Sequence, residues 1–179
     1  MLLNEKRERE KNMSAKIKLI RVDNRLVHGQ VGVTWTDSLS IDTIVVVDDE
    51  VVYNPLSQKL MQTIAKSSNV QIRFYTAEQF VETYQNSSSN RKLFVVVKTI
   101  QVVKRLCVLG LSAQKLNIGN IHYEKGRYPF NRKMYLTKED VEDIIYLNQH
   151  GYSVFYQDVP GTLVEKLDSI SLEDLKIRR

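Results

Sequence analysis

The chain has 179 residues, with 26 Lys and Arg against 21 Asp and Glu for a formal net charge of +5. That length holds one domain with a substantial core, and the absence of any run of about eighteen apolar residues argues against a transmembrane helix. The basic residues are scattered among acids, with no basic block and no interleaved aromatic stripe, which argues against a nucleic-acid partner.

Residues 1–15 are charged and lack an apolar face, so they read as a polar tail ahead of a single domain over 16–179. They also lack the apolar core of a secretory signal. The lone cysteine, Cys107, forms no internal disulfide and fits a reducing compartment, so a cytoplasmic location is expected.

The first strand is expected from Ile17, with β-branched residues at Ile17, Ile20 and Val22. It breaks into Asp23-Asn24-Arg25 and presents His28 against Gly29, after which Val31, Trp35 and Leu39 repeat at helical spacing. Trp35 reads as a core anchor of that helix. Thr43–Val47 is a near-continuous apolar run, as parallel strands covered on both faces require. Asp48-Asp49-Glu50 follows, and Asn54-Pro55 reads as an N-cap with proline at the first helical position, opening a helix through Leu60, Met61 and Ile64. Val70–Tyr75 is a third strand, and Thr76 with Gln79 fits a capping box for a helix to about Tyr84.

A polar loop, Gln85–Asn90, leads to the strand Leu93–Val97 and a helix from Thr99 to Leu109 closed by Gly110. That helix contains Cys107, read as a buried structural thiol among Val102, Val103, Leu106 and Leu109. A short strand, Lys115–Ile118, ends at Gly119-Asn120-Ile121-His122, and the irregular Tyr123–Lys133 lies beside that strand end, a common position for a functional loop. Thr137 opens a further helix with acids in its first turn, and His150-Gly151 closes it. Tyr152–Gln157 is a strand, and a terminal helix is expected from Gly161. Strands alternating with helices predict an α/β fold: a single-domain, open, doubly wound and mostly parallel sheet with helices on both faces.

A histidine at the carboxyl end of a strand, with a helix N-terminus close behind, occupies the place where open α/β sheets bind ligands. His28 supplies a ring nitrogen nucleophile. Arg25 supplies positive charge for a phosphoryl group, and the main-chain N–H groups of Gly29 and Gln30 supply anion donors. Asp23 is placed to orient Arg25 or the imidazole, and Arg21 to pair with Asp23. His122 either faces His28 or hydrogen-bonds loop backbone. No P-loop motif is present, and three widely spaced histidines with one cysteine make a poor metal set. Asp48 and Asp49 leave a receiver-like or small-ligand-binding module as the alternative, although Tyr75-Thr76 stands where a receiver would want its aspartate.

The segment R-V-D-N-R-L-V-H-G-Q-V, Arg21 to Val31, resembles the active-site segment of IIB subunits of the bacterial sugar phosphotransferase system (PTS), mannose/fructose/sorbose family. The likeness extends through Val45–Met61 and Asn117–Tyr123 and covers Lys16 to Asp158. It implies a sheet of about seven strands and a transiently phosphorylated His28, in an enzyme classed as a protein-Nπ-phosphohistidine–sugar phosphotransferase. The phosphoryl donor would be the phosphohistidine of a IIA subunit, and the acceptor a sugar bound by the membrane IIC and IID subunits, with the chain peripheral to the inner membrane face. The resemblance implies no metal, nucleotide or other cofactor, and leaves self-association open. Other IIB families carry the phosphoryl group on cysteine, but Cys107 lies outside any such context. Family members associated with N-acetylgalactosamine carry a similar N-x-G-N-x-H-Y segment, which points from a generic hexose toward an N-acetylated amino sugar.

Overall fold

The computed structural model describes residues 15–177 apart from Gln30. Seven strands form one sheet in the order β3-β2-β4-β1-β5-β8-β9, and every pairing is parallel except the last. They are β1 (Lys16–Val22), β2 (Thr43–Val47), β3 (Gln71–Tyr75), β4 (Lys92–Val97), β5 (Lys115–Ile118), β8 (Ser153–Tyr156) and β9 (Glu165–Lys166). A separate antiparallel ribbon pairs β6 (Tyr128–Pro129) with β7 (Tyr135–Leu136).

The central strands are apolar because both of their faces are covered. Every residue of β2 is buried, and so is every residue of β4 after Lys92. One face carries Leu19, Ile44, Val46, Phe94 and Val96 beneath α1 (Thr36–Leu39) and α2 (Pro55–Ser67). The other carries Ile20, Val22, Val45, Val47, Val95 and Val97 beneath α3 (Ala77–Gln85), α4 (Ile100–Val108) and α5 (Lys138–Gln149). Among the described residues no helix is long and apolar enough to cross a membrane.

The expected caps are present. Asn54 accepts from the Ser57 N–H at 3.0 Å with Pro55 in the first turn, and reciprocal capping boxes join Thr76 with Gln79 and Thr137 with Asp140. His150 takes its expected place at the end of α5, its Nδ1 lying 2.8 Å from the Tyr146 carbonyl and its ring stacked on Tyr146.

Four expectations need correction. The helix after His28 passes through a π-helical turn over Val31–Trp35 and continues as α1 for only one turn. Gly32 sits in that turn against α2, and a Cβ there would meet Ile64 Cγ2 at 2.2 Å, so the turn is closer to α2 than any side chain would permit. The terminal helix expected from Gly161 is replaced by β9, followed by a short α6 (Asp174–Ile177). Leu167, Ile170 and Leu175 are too widely spaced for one helical stripe; they bury individually as the chain folds back along β8. Cys107 is half-buried, not buried. Finally, Ala15, assigned to the tail, is buried in the core, while residues 1–14 lie outside the described residues.

Candidate active site

β1 lies between β4 and β5, yet the chain leaving it turns to the face of α1 and α2, while the chains leaving β4 and β5 turn to the other. Its carboxyl end is therefore a topological switch point. The loop that follows is held by local hydrogen bonds and by two apolar anchors. Asp23 Oδ1 accepts from the Arg25 N–H at 3.1 Å, and the Leu26 N–H donates to the Asp23 carbonyl at 2.9 Å. Leu26 takes a left-handed conformation, φ 54°, unfavourable for a branched side chain. Burial of Leu26 and Val27 in the core holds it there. His28 then emerges half-buried, and its carbonyl accepts from the Gly32 N–H at 2.7 Å.

Beneath the imidazole is a buried polar network. Asp23, with no exposed surface, receives His28 Nε2 at 3.2 Å, Arg21 Nη2 at 3.0 Å and Asn120 Nδ2 at 3.0 Å, all on Oδ2. Arg21 is itself buried: its Nη1 donates to Asn117 Oδ1 and to the Gln157 carbonyl at 3.2 Å, and its guanidinium lies 5.2 Å over the Trp35 ring. Asn117 Nδ2 bonds the same Gln157 carbonyl at 3.1 Å. Gly119 makes room for this arginine, since a Cβ there would lie 2.3 Å from Arg21 Cζ.

Burial opposes ionisation of Asp23, but the His28 hydrogen bond and the Arg21 charge outweigh it and hold the carboxyl below its ordinary value. Burial likewise lowers Arg21, countered by Asp23, without bringing a guanidinium near neutrality. An ionised carboxylate only accepts, so the ring nitrogen facing it, Nε2, carries the proton. The neutral ring's lone pair is thereby left on Nδ1.

The expected residues are thus only partly assembled. His28, Asp23 and Arg21 form one chain of contacts. Asp23 orients the imidazole and takes the Arg25 main chain, not its guanidinium. The Arg25 side chain is exposed and has no ion-pair partner among the described residues. Gly29 is exposed, and a Cβ there would meet nothing within 4 Å, so packing does not demand glycine. Gln30 lies outside the described residues. His122 donates its main-chain N–H to Asn24 Oδ1 at 2.7 Å, which brings its segment to the loop, while its side chain is exposed and, among the described residues, makes no hydrogen bond to His28. Asp48 Oδ1 caps the Glu50 and Val51 N–H groups at 3.0 and 2.9 Å, and Asp49 pairs with Arg105 at 2.6 Å, so neither acid of the receiver alternative is free.

Asn117, Asn120 and Gln157 went unrecognised in the sequence. The signal available was polarity in the wrong place: an arginine in the buried half of β1, between Ile20 and Val22, and an asparagine in the buried part of the four-residue β5. Both need partners, and the partners sit at neighbouring strand ends.

Comparison with known proteins gives concordant results. Residues 17–177 match the family model described as the PTS system sorbose subfamily IIB component. The chain is 39% identical over 154 residues to the N-acetylgalactosamine-specific phosphotransferase enzyme IIB component 1 of Escherichia coli (strain K12), covering 86% of this chain and 98% of that protein. The crystal structure of that E. coli component superposes with a TM-score of 0.81, over 84% of this chain and 98% of that one. The sorbose-specific EIIB component of Lacticaseibacillus casei is 27% identical over 159 residues, covering 86% of this chain and 96% of that protein.

Proposed function

The chain belongs to the sorbose-subfamily IIB components of the sugar phosphotransferase system, and from that premise we propose that His28 is the residue that carries its phosphoryl group. The observation that supports this reading is the contact of Asp23 with His28 Nε2 at 3.2 Å. It fixes the proton on one nitrogen and offers the other, Nδ1 (the π nitrogen), as nucleophile.

In the first step Nδ1 attacks the phosphorus of a phosphohistidine on the IIA subunit, in line with the leaving nitrogen. The donor's N–P bond breaks with its electron pair staying on the donor ring, and the Nδ1–P bond forms. His28 becomes a phosphoimidazolium, and the positive charge now shared with Nε2–H faces the Asp23 carboxylate. That carboxylate needs no rearrangement, because Arg21 and Asn120 already hold it. Arg25 and the Gly29 main-chain N–H serve the phosphoryl oxygens. In the second step a hydroxyl of a sugar held by IIC and IID attacks phosphorus, the N–P pair returns to Nδ1, and the hydroxyl proton is lost to a base. The enzyme is then a protein-Nπ-phosphohistidine–sugar phosphotransferase working at the inner membrane face. The names of its relatives favour N-acetylgalactosamine as the sugar. His122 has an accessory place at most, since among the described residues its exposed imidazole makes no hydrogen bond to the network.

The test supplies radiolabelled phospho-IIA to wild type, His28→Gln, Asp23→Asn and His122→Gln. Expected are no label on His28→Gln, a rate lower by about 10–100-fold in Asp23→Asn, and near-normal labelling of His122→Gln; losing a hydrogen bond between charged groups costs about 1.5–3 kcal/mol. Label retained by His28→Gln would overturn the assignment.

A further inference from the structure

We propose that the outer face of α2 beside the His28 loop is the docking surface for the phosphoryl donor, its apolar cleft receiving side chains of the IIA protein. This inference rests on the carrier role of His28. A cleft of about 490 Å³ lies between the loop and the helix, walled by Arg25 and Val27 on one side and by Leu60, Met61, Thr63 and Ile64 on the other. Arg25 and Val27 belong to the same short loop as His28, so the cleft is continuous with the site.

Leu56 and Leu60, one helical turn apart on α2, are 71% and 63% exposed, and Tyr53 just before the helix is 76% exposed. Such apolar exposure on one helix face is costly unless a partner covers it. On the opposite side of β1 in the sheet, Tyr123 is 67% exposed at the end of the β5 loop, which Asn24 ties to the His28 loop. Apolar groups therefore flank the imidazole on both sides.

The reaction itself limits what can dock here. Phosphoryl transfer brings the donor's ring nitrogen, the phosphorus and Nδ1 into line, so the donor's surface is centred on His28. A standard protein interface covers about 800 Å² per partner and so reaches beyond the loop onto neighbouring elements. Charge narrows the choice further. Arg25 at the cleft and Lys59 on the exposed side of α2 have no ion-pair partners among the described residues. That rim suits a partner bearing a phosphoryl dianion and disfavours a basic one. The step adds nothing else: the N–P bond opens on the donor ring, the same bond forms at His28 Nδ1, and no oxidant, reductant or net proton is required.

The experiment compares two phosphoryl sources on wild type, Leu56→Asp/Leu60→Asp and, as an exposed apolar control at the far end of α4, Val108→Asp. One source is radiolabelled phospho-IIA, which has to dock; the other is phosphoramidate, which is too small to do so. Both leucines are largely in water, so the fold tolerates their replacement. The double variant is expected to lose about tenfold or more in labelling rate at subsaturating phospho-IIA, equivalent to about 1.4 kcal/mol of docking energy, and to label normally with phosphoramidate. Val108→Asp is expected to match wild type with both donors. An unchanged rate from phospho-IIA in the double variant would overturn the docking surface while leaving the carrier role intact. Equal loss with both donors would also overturn it, because the damage would then lie in the site. Wild type that takes no label from either donor would overturn the carrier role, and the docking surface with it.

Discussion

At His28 the deciding feature is which ring nitrogen is already occupied. Asp23 takes Nε2, and three further donors hold Asp23 in place: Arg21, Asn120 and the Arg25 main chain. A carboxylate so held is harder to protonate than one in an unfolded chain, whose ordinary value is 3.8. With the folded value depressed, the stability contributed by ionised Asp23 is fully present above that ordinary value and is lost as the pH falls through the lower, folded one. The carboxyl-carbon NMR shift of Asp23 is therefore expected to complete its change below pH 3.8, with thermal stability falling on the acid side over the same interval. In Asp23→Asn that acid limb should be shallower, because the contribution of this one carboxylate is gone. This arrangement was half legible in the sequence. The spacing of Arg21, Asp23 and His28 suggested pairing, whereas Asn117 in β5 and Asn120 in the loop just after it come almost a hundred residues later, and only the sheet order brings them in.

Among the elements, β1 and β5 show how a strand end is built around one side chain. Gly119, immediately after β5, leaves the space that the Arg21 guanidinium fills. Arg21 is bonded on several sides and stacked on Trp35, so it has little freedom to yield. Gly119→Ala is expected to destabilise the protein by about 1–3 kcal/mol, the usual cost of overpacking. For a domain of this size that lowers the melting temperature by about 2–4 °C per kcal/mol, measurable by circular dichroism. Phosphoryl acceptance should fall as well, because Asp23 loses an anchor. Local chemistry made most elements readable: Thr76, Thr137 and Asn54-Pro55 mark helix starts, and the TIVVV and LFVVV runs mark buried strands. The π-helical turn at Val31–Trp35 was not readable, because part of its surroundings is distant: a Cβ on Gly32 would run into Ile64, and the Gly32 carbonyl accepts from the Ser68 hydroxyl at 2.8 Å as well as from that of Thr36 at 2.6 Å.

At the scale of the molecule, the sheet is completed by a segment that alone carries no strand pattern. β9 covers the edge of β8, with the Leu167 N–H bonded to the Val154 carbonyl at 3.0 Å, and the chain beyond it buries Leu167, Ile170 and Leu175. Full burial of one such side chain contributes about 1.5–3 kcal/mol, so the three together rival the net stability of a typical domain, about 5–15 kcal/mol. A chain ending at Val164 is expected to lose its cooperative thermal transition and to scatter light, since β8 would become an open edge. Two-residue strands such as β9 are set by pairing and not by propensity, so the helix expected there could not have been ruled out from composition. The alternation along β1 has a further consequence. Ile20 and Val22 face one layer of the core, while Leu19 and Arg21 face the other. Sliding this strand by a single position would drive a guanidinium into hydrocarbon and withdraw the support from beneath His28 in the same movement. Misthreaded chains should therefore be wholly inert, not feebly active, and the fraction of molecules able to accept label can serve as a count of those that have threaded correctly.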